Sequence, residues 1–182
     1  IGTGFMYADW KSQIAYTTPN FNGFSATAGV TQAWNAISVG TALLSGTSAD
    51  RGGNEPAFEG KASYAFTADA VTGKVWVSGI SQKIVGVGTT TANRHNETAT
   101  SGDIGANLNA AGFGLTGYYY EGKGIGQTVQ FNDGYDANGN PRKSDGYYVQ
   151  ATYALPGVGT KLGVSYGESK LKGNAAEAAT LV

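Results

Sequence analysis

The sequence predicts an all-β protein whose antiparallel strands form a transmembrane β-barrel, and three observations carry that reading. Apolar and polar side chains alternate with a period of two along most of the chain, as they do in strands with two unlike faces. Short turns and long polar loops follow one another in strict alternation. Soluble domains seldom hold structureless loops beyond about 12 to 15 residues, whereas membrane barrels place short turns on one side and long loops on the other. Charged residues make up 14% of the chain and 29 of its 182 residues are glycine, against about 25% charge and about 7% glycine in a soluble domain.

Other classes fall away. A net charge of −1, from 12 Lys and Arg against 13 Asp and Glu, supplies no clustered cations for nucleic-acid phosphates. Without cysteine there is no disulfide framework and no thiolate metal site. No apolar run reaches the roughly 18 residues of a membrane helix, and the chain opens at Ile1 with no signal-peptide pattern. Hydropathy averages are blind to membrane strands, whose apolar residues come at every second position.

The first strand spans about 10–18 and ends in the turn Pro19-Asn20-Phe21-Asn22-Gly23; the second spans about 24–34. A loop follows at about 35–55. The third strand, about 57–67, is the clearest: Phe58, Gly60, Ala62, Tyr64 and Phe66 oppose Glu59, Lys61, Ser63, Ala65 and Thr67. The fourth, about 74–84, has no face assignable from pattern. After a loop at about 86–101 come the fifth strand, about 102–110, and the sixth, about 113–120. A third loop spans about 121–145, and strands seven and eight, about 146–155 and 160–168, flank Pro156-Gly157-Val158-Gly159. From Lys170 to Val182 no strand pattern is evident, and residues 1–182 read as a single barrel segment.

A Lys or Arg on the lipid face costs about 2 to 4 kcal/mol at the midplane. Glu59, Lys61, Asp103 and Lys161 all fall opposite the apolar set, and slipping the register by one residue would send all four into lipid. Tyr16, Phe21, Phe24 and Phe66 near the short turns, and Trp34, Phe58, Tyr147 and Tyr166 near the loops, are candidates for two aromatic girdles. The competing fold is a soluble β-sandwich, whose core would want more Val, Ile and Leu than Gly and Ala.

The stretch from Gln13 to Ser25 resembles the strand, turn and strand that follow the constriction loop in general diffusion porins of Gram-negative outer membranes. Ala111 to Tyr120, and then Asp145 to Tyr153 through Pro156-Gly157 to Lys161–Gly167, resemble consecutive hairpins of the same family. The likeness covers about residues 10 to 168. Each motif alone is barrel grammar; their order and spacing make the match specific.

The resemblance implies a barrel of about sixteen strands, of which these eight look like the sixth to thirteenth, so that the chain is expected to be partial. It implies a water-filled lumen passing small hydrophilic solutes and ions, no cofactor, no enzymatic activity, a homotrimer, and contact with outer-membrane lipid and lipopolysaccharide. The candidate pore-lining residues are Glu59, Lys61, Asp103 and Lys161, together with Lys11 and Lys83. Thr17 stands where some porins carry a wall arginine, and the acidic constriction loop would lie upstream. The alternative is a non-channel barrel or a soluble sandwich whose long loops bind a partner.

Other motifs carry little. Asp136-Ala137-Asn138-Gly139-Asn140 starts like a calcium loop, but Pro141 and Tyr147 occupy the glycine and glutamate positions. Gly122 to Gly126 lacks dinucleotide spacing and context. His95, the sole histidine, has no partners for a triad or a metal site. Asn96-Glu97-Thr98 fits a glycosylation sequon that means little in a bacterial outer membrane. Tyr118 to Tyr120 could stack sugars, although a girdle or rim role comes first.

Overall fold

The computed structural model describes residues 11–34, 38–39, 42–43, 52–127 and 130–173, and none of these is helical. The strands are β1 (Gln13–Thr17), β2 (Phe24–Thr31), β3 (Ser38–Val39), β4 (Ala42–Leu43), β5 (Ala57–Ala68), β6 (Val71–Val87), β7 (His95–Ala110), β8 (Phe113–Lys123), β9 (Lys143–Ala154) and β10 (Lys161–Lys172). Eight of them form one sheet in the order β1-β2-β5-β6-β7-β8-β9-β10, and β3 and β4 pair separately. Every pairing is antiparallel. The sheet is thus an up-and-down meander. Among the described residues it is not closed: β1 pairs with β2 and β10 with β9, and neither edge strand pairs with the other.

Turn chemistry sets the hairpins. At Asn22-Gly23 both residues have positive φ, 51° and 95°, which matches the twist of the flanking strands. The Asn20 side chain closes this turn by accepting from the Gly23 amide at 2.7 Å. Ala111-Gly112 repeats the conformation at 49° and 83°.

Cross-strand partners share a face, so the register propagates one polarity across the sheet. Phe24 pairs with Tyr64, Tyr64 with Val75, Val75 with Ala106, and the same row continues through Gly117 and Val149 to Tyr166. This apolar face is open: Ile14, Val77, Ile104, Leu115 and Val164 all lie on it and are exposed. Among the described residues no second sheet covers it.

Several expected boundaries move. The loop set at 86–101 contracts to 88–94, because β6 and β7 stay paired beyond the apolar band through Ile84–Glu97 and, after an irregularity, Val87–His95. The 121–145 loop contracts to 124–142, and the tail expected from Lys170 begins instead as strand, with Lys170, Leu171 and Lys172 paired to Asp145, Ser144 and Lys143. Polar side chains mask strand ends that run past an apolar band, since the period-2 contrast disappears there. Much of the 35–55 loop, and the stretches Ile1–Gly4 and Ala178–Val182, lie outside the described residues.

A side chain at Gly105 would strike the Trp76 indole, whereas one at Gly117 meets nothing within 4 Å. Gly105→Leu should therefore destabilise the folded barrel by about 1 to 3 kcal/mol through overpacking, and Gly117→Ala should stay within about 0.5 kcal/mol of the parent. Urea unfolding of the detergent-folded full-length protein checks both.

Candidate functional site

The face opposite the apolar one carries the ionisable wall residues. Glu59, Lys61, Asp103 and Lys161 pair in register with Ile80, Ser78, Ser78 and Ala154, all on that polar face. Ser78 donates a hydrogen bond to Asp103, and Lys61 places its ammonium 5.8 Å from the Trp76 ring centroid. Lys11, just before β1, is ion-paired with Glu59. Thr17 also lies here, its hydroxyl 2.9 Å from that of Thr27. A cavity of about 400 Å³ is lined by Glu59, Lys61, Asp103, Tyr118, Tyr120 and Gln130.

Two expected positions differ. Lys83 falls on the apolar-face parity, because it lies two residues beyond Ser81, which pairs with Phe58; its ammonium meets Glu55 near the loops. The pattern of β6 did not fix its faces, so this position could not be phased from sequence. Trp34 does not face outward: it packs against a buried cluster, while its backbone N–H donates to Gln82 Oε1 at 2.9 Å and its carbonyl accepts from Gln82 Nε2 at 2.8 Å. Of the other aromatic candidates, Tyr16, Phe21, Phe24, Phe58, Tyr147 and Tyr166 are exposed. Phe66 is half-buried over Gly73.

The 124–142 segment is a structural element that sequence reasoning missed. Ile125, Phe131 and Tyr135 are buried in one cluster with Ile84, Val87 and Ala99, against which Ile80 also packs. Ile80, Ile84 and Ala99 belong to the polar-face parity, so this connection folds over that face. Hydrogen bonds tie it at both sides. Gln127 Nε2 donates to the Ser169 carbonyl of β10 at 2.7 Å, and the Ala137 carbonyl accepts from the Thr89 amide at 3.0 Å between β6 and β7.

Its interior is locked as well. Arg142 meets Asp133 at 2.7 Å, and the Asp136 carboxylate accepts from the Asn138 and Asn140 amides at 2.9 and 2.8 Å and from Asn140 Nδ2 at 3.0 Å. The residues resembling the start of a calcium loop thus cap a turn. Burial raises the Tyr135 phenol above its ordinary pKa, and the Glu97 charge adds to this. The ring stays neutral inside the cluster. The apolar residues here are spaced irregularly, which is why period-based reading saw a loop and no packing.

A family model described as Gram-negative porin matches residues 1–182. The chain belongs to the Gram-negative porin family. Searches among curated proteins and among solved structures returned no match. Eight antiparallel strands in one sheet, with an open apolar face opposite a charged one, are the architecture expected of a porin wall. Among the described residues of this porin, no group of three or more His, Cys, Asp or Glu is arranged to hold a metal ion.

Phe131 is fully buried and its amide donates to the Ile125 carbonyl at 2.6 Å. Phe131→Ala should weaken the attachment of the 124–142 segment by about 3 to 5 kcal/mol. Limited proteolysis of the folded protein reads this as faster cleavage within the segment, with the sheet left intact.

Proposed function

We propose that this chain forms part of the wall of a water-filled outer-membrane channel through which small hydrophilic solutes and ions diffuse passively. The observation that carries the reading is the sorting of Glu59, Lys61 and Asp103 onto one face while Val75, Val77, Ile104 and Leu115 occupy the other. Lipid takes the second face without penalty, and water solvates the first.

Open strand edges in lipid would cost several kcal/mol per unsatisfied backbone group, so β1 and β10 need partners. The sixteen-stranded closure that the resemblance implies would supply them. A trimer, with lipid and lipopolysaccharide around its outer surface, is part of the same proposal. The girdle role of Tyr16, Phe21, Phe24, Phe58, Phe66, Tyr147 and Tyr166 rests on their parity and their positions near strand ends. No cofactor and no catalytic step belong to this reading.

Wall charges bias which ion enters. A unit charge acting across about 8 Å of water-like medium is worth about 0.5 kcal/mol, roughly twofold in relative permeability. Planar bilayers containing the full-length protein should show stepwise conductance. Asp103→Asn should shift selectivity toward anions by about that factor and Lys61→Gln toward cations. Absence of steps, or reversal potentials indifferent to both changes, would contradict the proposal.

A further inference from the structure

The cavity beneath the 124–142 connection is lined by polar groups that the fold leaves unmatched. Glu59, Lys61, Ser78 and Asp103 form part of its wall, and Gln130 of the connection part of its cover. Gln130 is 5% exposed, and its Nε2 has no hydrogen-bond partner among the described residues. Asp103 Oδ1 is likewise buried without a partner, while Ser78 donates to the other oxygen of the same carboxylate. Native interiors satisfy such atoms, so one unmatched donor and one unmatched acceptor on a single cavity point to a ligand.

The charges set what that ligand is. Lys11 is ion-paired with Glu59, so these two cancel. Among the described residues Lys61 meets no carboxylate and Asp103 no cation within ion-pair distance; the Lys61 ammonium has only the Trp76 ring, 5.8 Å away. Both residues stand in register with Ser78, one on each side, so their backbones are two strand spacings, about 10 Å, apart. One cation and one anion remain, held apart. A neutral ligand leaves both without a counter-charge, and a simple ion is attracted by one and repelled by the other. A ligand carrying both signs at short separation matches both through charge-assisted hydrogen bonds.

We propose that this cavity is a weak binding site for zwitterionic α-amino acids, whose ammonium donates to Asp103 while their carboxylate accepts from Lys61 and from Gln130 Nε2. Because Gln130 comes from the connection and not from the sheet, the site is complete only while the 124–142 segment is docked. The inference rests on the channel reading above, since the lumen is the route by which solutes reach this face.

Saturation-transfer NMR of the full-length protein folded in detergent, titrated with L-glutamine at neutral pH, tests the site. Two analogues serve as single-charge controls: N-acetyl-L-glutamine keeps only the carboxylate and L-glutaminamide only the ammonium. L-Glutamine should bind about tenfold more tightly than either. Asp103→Asn should abolish its advantage over N-acetyl-L-glutamine, and Lys61→Gln its advantage over L-glutaminamide. Gln130→Leu keeps the bulk of a side chain outside the sheet and should weaken L-glutamine binding by about threefold to tenfold. If either wall variant fails to fold, Gln130→Leu and the two analogues decide. Equal affinity for the three compounds, L-glutamine binding unchanged in Gln130→Leu, or no saturation transfer from a protein that gives conductance steps in planar bilayers overturns the amino-acid site alone. Absence of steps in the parent overturns the channel reading together with it.

Discussion

Everything in this molecule depends on a strand's two-residue period being held in register across eight neighbours. Antiparallel pairing puts partners on one face, so a single phase choice in β5 fixes the polarity of every other strand in the sheet. Val75 and Val77 are outward because Tyr64 and Ala62 are, and Asp103 shares the face of Lys61 through Ser78. A slip by one residue would exchange the two faces at once. The penalty for exposing Lys61 or Asp103 to lipid therefore acts on the whole sheet.

The polar face is more than a row of charges. Its loop-side end is covered by the 124–142 segment, whose buried Ile125, Phe131 and Tyr135 use β6 and β7 residues as their floor. Below this cover lies the cavity bordered by Lys61, Asp103 and Gln130. Packing a connection onto this face buries apolar area that would otherwise face water. The same polar face carries aromatic rings over glycines, at Trp76 on Gly105 and Tyr120 on Gly146, so small and large residues alternate across strands as they do in a filled interior.

The sheet was legible in the sequence where alternation was strong. In β5 the residues Phe58 to Thr67 phase themselves, and the turns are visible at Asn22-Gly23, both of which favour positive φ, and at Gly112, although Ala111 beside it takes positive φ against its residue type. Legibility failed where contrast was lost. β6 carries Ser and Lys on both faces and puts Ile80 and Ile84 on the polar one, so Lys83 could be assigned only through its register with β5 and β7. The loop-side ends of β7 and β10 are mostly polar on both sides because they leave the apolar band, and the end of β6 turns apolar on the opposite face, where Ile84 and Val87 join the buried cluster. The Tyr118-Tyr119-Tyr120 run necessarily sends rings to both faces, with Tyr119 on the apolar one and Tyr118 and Tyr120 on the other. The sequence offered that signal, but not the register that brings the Tyr118 ring onto Tyr148. Trp34 and the 124–142 cluster depend on contacts between distant segments, which no local pattern encodes.

The most direct test of the two-faced wall is accessibility along β7. The chain has no cysteine, so single cysteines can be placed at Ser101, Asp103, Asn107 and Asn109 and at Gly102, Ile104, Ala106 and Leu108 in the full-length protein in lipid. The account predicts that a membrane-impermeant maleimide modifies the first group readily and the second slowly, whereas lipid-borne quenchers reach fluorophores on the second group. Equal labelling of both groups, or quenching confined to the first, would contradict it.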